Sequence, residues 1–353
     1  MAFQFCDTFC TITSSAQSPY ENIGGSITYS SAYARFAAPS GCQGGGVKIP
    51  LNGTLRKNLQ SNQATLIAFC SFGALALPST GNSAIMAFLD NGTCQCLLAV
   101  TPSGALQFYR GTSGGTVAIG SASSPGLIGL SSAPAHGIEV QVTINSSTGS
   151  VKCWLDGVQV INSSGLNTQF SANAFANQAQ LGGASGSIGS SDQGFYCDYF
   201  RVWDGSGSSQ NAALGTDRQP ITKLPSGTGS NTNWSPTGFS HNYQCVSVVP
   251  PSGSDYVSAS GTNVIDDYAT PSAGLAQAPS MVVAQSYYQK TDGATRTYTN
   301  GVLSSGVSGV GSTFTANSGL TWVQNCIVTD PATGVAWTAG GADAAHFLHE
   351  ELT

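Results

Sequence analysis

Residues that could do chemistry are few and widely scattered. The chain has only four glutamates, Glu21, Glu139, Glu350 and Glu351. None belongs to a strand-borne pair, roughly two or four residues apart, of the kind a retaining glycosidase uses as nucleophile and acid/base. The four histidines, His136, His241, His346 and His349, have no Gly-x-Ser-x-Gly elbow to serve, so Ser-His-Asp hydrolysis is not expected. His346 and His349, on a helix expected over Gly341 to Leu352, would face one way and could hold a metal with Glu350. Nothing supplies a further ligand, so the expectation is ordinary surface placement. Asp90, Asp156 and Asp192 are calcium ligands only in principle, since turn aspartates need no ion. No catalytic, cofactor-binding or metal residue is expected.

Ten cysteines remain: Cys6, Cys10, Cys42, Cys70, Cys94, Cys96, Cys153, Cys197, Cys245 and Cys326. That is many for a protein made in a reducing cytosol. All are disulfide candidates, with small buried hydrophobes as the alternative. Neither Cys6-x-x-x-Cys10 nor Cys94-Gln-Cys96 has zinc-finger spacing with a second pair. Residues two apart on a strand share a face without bonding geometry, so Cys94 and Cys96 should each seek another partner.

The elements that must position these residues read as strands. Of the 353 residues, 41% are apolar and only 8% charged, against about a quarter charged in an average soluble protein. The surface must therefore be covered by Ser, Thr, Asn, Gln and Gly. The 44 glycines suit tight turns, and the Val, Ile, Thr, Tyr and Phe content suits pleated strands, so the fold class is all-β. Strand-like runs recur at 65 to 72, 83 to 90, 94 to 100, 104 to 111 and 137 to 145, many closed by turns such as Asp90-Asn91-Gly92. Composition then changes over 206–238, an expected interdomain segment rich in Gly, Ser and Pro. A smaller β-rich domain is expected over 239–353, with strands at 243 to 249, 280 to 290, 294 to 303 and 320 to 328. Eight cysteines precede the segment and two follow it, which makes Cys245 to Cys326 the simplest bridge.

A net charge of −6 with 11 Lys plus Arg and no basic cluster argues against nucleic-acid binding. The opening MAFQFCDTFCTITSS lacks a basic and then apolar export signal, and no run of about 18 apolar residues follows. Neither ordinary secretion nor membrane insertion is expected.

Within 137–205 the sequence runs GIEVQVTINSSTGSVKCWLDGVQVINSSG, then QAQLGG, then FYCDYFRVWDG. Alternation in Val140, Val142, Ile144 and in Val151, Cys153, Leu155 puts one face of each strand on a core, and Asp156-Gly157 supplies a type I′ hairpin turn. This succession resembles the C-terminal half of laminin-G-like, concanavalin-A-like domains, which implies a jelly-roll sandwich over 1–205. First and last strands adjoin in such jelly rolls, bringing Cys6 or Cys10 towards Cys197. The longer succession Trp203-Asp204-Gly205-Ser206-Gly207, Leu214-Gly215-Thr216, Trp234-Ser235-Pro236 and Asp330-Pro331-Ala332-Thr333-Gly334-Val335-Ala336-Trp337 resembles tailed-bacteriophage structural proteins. The cysteines and the C-terminal GGADAAHFLHEEL depart from that pattern.

That resemblance implies a non-enzymatic virion component on the tail, neck, collar or a fibre, assembled in the host cytoplasm and then extracellular, where oxidation of thiols could follow. Its implied partners are other virion proteins, further copies of itself, trimers included, and host surface glycans. The alternatives are a head decoration protein, a lectin module stacking sugars on Tyr109 or Trp154, and, disfavoured by the missing carboxylate pair, a glycan hydrolase.

Overall fold

The computed structural model describes residues 3–9, 18–35, 45–79, 81–111, 117–131, 134–183, 194–206, 211–216, 220–249 and 251–353. Cys10, Cys42 and Asp192 lie outside them. The fold is all-β, and the chain divides into two compact units, Met1–Pro220 and Ile221–Thr353.

Among the described residues the first unit consists of a nine-stranded and a seven-stranded antiparallel sheet. The larger runs Val158–Leu166, Gly149–Leu155, His136–Thr143, Thr65–Ala74, Phe195–Cys197, Val47–Ile49, Thr28–Tyr29, with Phe200–Asp204 also on Thr65–Ala74 and Phe3–Asp7 on Phe200–Asp204. The smaller runs Val117–Ile119, Leu106–Arg110, Thr93–Val100, Ser83–Asp90, Ala176–Gly182, Thr54–Gln63, Asn22–Gly24. The expected alternation holds: Val140, Val142, Ile144, Val151, Cys153 and Leu155 are all buried. First and last strands do adjoin, with Cys6 opposite Arg201.

Glu139, on the opposite face of its strand, is nevertheless buried. Its carboxylate pairs with the Arg201 guanidinium at 3.5 Å and accepts the Gly215 N–H at 2.6 Å. Arg201 in turn lies over the Trp203 ring at 4.3 Å. The segment 211–216 thus closes over this outer face, with Gly215 seated against the Trp154 indole.

In the second unit a six-stranded sheet forms among the described residues. Its main order is Gly227–Thr232, Val264–Ala269, His346–Glu351, Thr297–Ser304, Val307–Val310, and Phe314–Thr315 also pairs with Thr297–Ser304. Val282–Tyr288 pairs with Thr321–Ile327, and Ser235–Thr237 with Tyr256–Ser258. The stretch 206–238 is therefore not all connection: its latter part supplies two strands, and Trp234 enters the core with Tyr288, Tyr298, Ala316 and Val323.

Two local expectations are corrected. The expected strand at 243 to 249 begins as a helical turn, Asn242–Val246. Polar side chains hold it there: Gln244 Oε1 accepts the His241 N–H at 3.2 Å, and Asn242 Nδ2 donates to Trp234 O at 2.7 Å and to Asp266 at 2.8 Å. At the C-terminus the helix is confined to Ala339–Ala344, and His346–Glu351 is a strand. Hydrogen-bonded neighbours on both sides, Val264–Ala269 and Thr297–Ser304, override the helical composition.

Candidate binding site

The strand at the C-terminus removes the histidine metal site. Three residues apart on a strand means opposite faces: His346 Nδ1 meets Asp267 Oδ2 at 2.6 Å, whereas His349 Nε2 meets Ser286 Oγ at 3.0 Å inside the unit. Among the described residues no group of three or more His, Cys, Asp or Glu is placed to hold a metal ion. Asp90 accepts from Ser171 Oγ at 2.7 Å and Asn173 Nδ2 at 2.9 Å, fixing the 170–175 segment. Asp156 accepts from the Gly137 N–H at 2.7 Å and contacts His136 Nδ1 at 2.7 Å. Both carboxylates are thus spent on hydrogen bonds to other segments of the unit. His241 stacks on Tyr243 with ring centroids 5.8 Å apart.

The eight described cysteines carry free thiols. The proposed pair is apart in bonding terms: Cys245 Sγ donates to Thr237 O at 3.2 Å, while Cys326 Sγ lies 3.5 Å from Met281 Sδ. Cys6 hydrogen-bonds with Tyr199 instead of reaching Cys197, and Cys197 Sγ adjoins Tyr199 O at 3.4 Å. Burial pushes the Cys6 thiol up to about 12, so this sulfur behaves as a buried neutral thiol. Cys94 and Cys96 do not share a face. A bulge at Gln95 sets Cys94 opposite Leu89 and Cys96 opposite Phe88, adjacent residues that point to opposite sides. The bulge is held by Gln95, whose Oε1 accepts from the Phe170 and Ser171 N–H groups at 2.7 and 2.9 Å.

One row of side chains crosses the seven-stranded sheet in hydrogen-bonded register: Arg56, Gln180, Ala87, Leu97, Tyr109. Neither Arg56 nor Gln180 was singled out in the sequence, because only non-local pairing brings them together. Ala84, Ala87, Leu89, Cys94, Leu97 and Ala99 form the buried apolar floor, with half-buried Tyr109 packed against it. At the Arg56 end a cleft of about 40 Å³ opens among Arg56, Ala87, Leu89, Gly92, Cys94 and Gln180. The small side chain of Ala87 leaves room beside Gln180. Gly182, also on the wall, has φ +78° and no space for a Cβ against the Gly53 carbonyl.

Geometry orients the guanidinium. Arg56 Nε donates to Gln180 Oε1 at 2.9 Å, and Gln180 Nε2 donates to Gly182 O at 3.0 Å. Gln180 is thereby fixed at both ends of its amide. Burial pushes the Cys94 thiol up to about 12, against an opposing pull from Arg56. Burial likewise raises Tyr109, whose hydroxyl accepts from Asn82 Nδ2 at 2.7 Å, a bond that acts the other way. Of the two aromatic candidates, Tyr109 lies on this face and Trp154 lies under Gly215 on the other sheet.

No family model and no curated relative matches the sequence. Among solved structures, a Trypanosoma rangeli sialidase mutant with trans-sialidase activity overlaps at 15% identity and TM-score 0.33, covering 50% of this chain and 27% of that one. Alginate lyase Aly36B overlaps at 13% and 0.33, covering 57% and 95%. The T. cruzi calreticulin globular domain overlaps at 10% and 0.34, covering 57% and 87%. The chain thus spans about a quarter of the sialidase's length. Overlaps this slight establish neither a shared topology nor a shared activity.

Proposed function

We propose that the chain is a non-enzymatic adhesion module whose sandwich binds glycan, and that it is displayed on a tailed-phage particle. The observation that carries the glycan reading is the Arg56–Gln180 cleft, a polar, pre-oriented donor group beside an apolar floor with Tyr109 in the same row. A few placed polar groups over an apolar surface are how sugar-sized ligands are held. The cleft's residues include no carboxylate and no histidine to take or give a proton.

The virion setting rests on the succession of Trp203 to Gly207, Leu214 to Thr216, Trp234 to Pro236 and Asp330 to Trp337. Two of these residues have architectural duties here. Asp204 accepts from Gln4 at 2.6 Å, and Trp337 Nε1 donates to Ile327 O at 2.8 Å. Such duties suit a recurrent scaffold better than a recurrent reaction centre. Further copies of the chain, in a trimer or another symmetric ring, and other virion proteins are its proposed partners.

Glycan-array binding by the full chain, lost in Arg56→Gln and weakened in Tyr109→Ala, is the expected result. Binding of no glycan, or unchanged binding by both variants, overturns the adhesion reading. Electron microscopy of the particle tests the setting: density for this chain on the outer surface is expected, and its absence from purified particles overturns it.

A further inference from the structure

We infer that the Arg56 cleft is a carboxylate receptor, so that the glycan bound by the sandwich is an acidic one; the inference rests on the glycan reading above. The guanidinium has five N–H donors in a planar fork. Only Nε is committed, to Gln180 Oε1 at 2.9 Å. Among the described residues neither terminal nitrogen donates to a partner and no carboxylate pairs with the group. The neighbouring acids are occupied elsewhere. Glu21 pairs with Lys57 Nζ at 2.6 Å and accepts the Asn58 N–H at 2.7 Å, and Lys57 points to the face opposite Arg56. Asp90 is taken by Ser171, Asn173 and the Asn91 side chain.

A cation half-buried beside an apolar floor and without a counter-ion among the described residues is unusual in a chain of net charge −6. The thiol at Cys94 does not neutralise it, since it stays protonated. Two parallel N–H donors match the two oxygens of a carboxylate. Size agrees with this. A cleft of about 40 Å³ has room for a carboxylate group. A free small carboxylate shares the recognised chemistry and is separated from a glycan by the test.

The full chain is titrated calorimetrically with tri-galacturonate, with its methyl ester, which keeps the ring and removes the charge, and with sodium acetate. The acid trimer is expected to bind at least tenfold more tightly than the ester. Arg56→Gln should bring the acid down to the ester's level, and Arg56→Lys, which keeps charge without the fork, should fall between. The Arg56 Nε–H resonance should shift saturably with acetate and not with matched sodium chloride, while circular dichroism of both variants matches wild type. Equal binding of acid and ester, or full acid binding by Arg56→Gln, overturns the carboxylate inference and leaves the glycan reading standing. Acetate binding as tight as that of the trimer overturns the glycan as the source of the carboxylate. No binding of any of the three, with no acetate shift, overturns the inference; the glycan reading falls separately, when the array is blank as well.

Discussion

The two units bury their sheets in different ways. The sandwich interior is mainly apolar, with Leu66, Ala68, Val140, Val142, Val151, Phe200 and Val202; Asp204, bonded to Gln4, is a polar exception, and the buried Glu139–Arg201 ion pair lies on an outer face. In the second unit the buried set includes Ser286, Thr299, Asn300, Asn325 and His349. Asn325 Nδ2 donates to Asn300 O at 3.0 Å and Ser312 O at 3.1 Å, while Asn300 Nδ2 donates to Ser286 Oγ at 2.8 Å. A smaller unit with less apolar surface to bury leans on a hydrogen-bonded interior, which is specific in geometry but sensitive to any partner lost.

The largest expected effect tests the sandwich at this ion pair. Glu139→Ala leaves the Arg201 guanidinium, 2% exposed, without its carboxylate and should cost about 3 to 5 kcal/mol. In calorimetry of the full chain, only the sandwich transition should move. A shift confined to the second unit's transition would contradict the assignment of this pair.

Next in size is a pH effect confined to the second unit. His349 is enclosed by Trp234, Tyr268, Tyr288 and Phe347, with ring centroids 5.7, 5.6, 5.2 and 4.6 Å away. Burial pushes it down to about 3 from an ordinary 6.5. The unfolded chain therefore takes up the proton first, and stability falls as pH drops from about 6.5 towards 3. The loss should reach about 3 kcal/mol at pH 4.5. Asp266, opposite His349 in the sheet and raised by burial, works against this loss. Thermal scans at pH 7 and pH 4.5 should lower the second unit's midpoint, and His349→Gln should flatten the response. Equal pH sensitivity of the two transitions would remove the distinction between the interiors.

A smaller loss, about 1 to 3 kcal/mol, is expected for Asn325→Ala, since Ser312 O and the Ser312 N–H, bonded to Asn325 Oδ1 at 2.8 Å, lose their partner. Urea unfolding monitored at the second unit's Trp234 should report it, and an unaffected midpoint would mean that solvent replaces the amide.

Legibility in the sequence follows the range of the interaction. Val140 to Ile144 and Val151 to Leu155 announce themselves because their period of two is set by strand geometry alone. Cys94 and Cys96 mislead the same rule because one inserted residue, Gln95, reverses the face, and what holds it lies some 75 residues on, at Phe170. The His346 strand misleads because Ala, Leu and Glu favour helix locally, while both of its neighbours arrive from earlier segments. The Arg56 cleft was silent for the same reason: Arg56 and Gln180 are 124 residues apart.

The smallest effect tests the most local element of the sandwich. Leu155 pairs with Val158, so Asp156-Gly157 is a two-residue loop with φ of +50° and +83°, the pattern of a type I′ turn. Asp156 tolerates that conformation partly because its carboxylate is held by the Gly137 N–H. Gly157 has no such compensation and depends on lacking a Cβ. Gly157→Ala should therefore cost about 1 kcal/mol, lowering the sandwich midpoint by roughly 2 to 4 °C and leaving the second unit's transition in place. Asp156→Asn, which keeps a side-chain acceptor and a residue suited to positive φ, should cost less. If Gly157→Ala moved both transitions equally, the two units would be unfolding as one, and the contrast between their interiors would have no thermodynamic consequence.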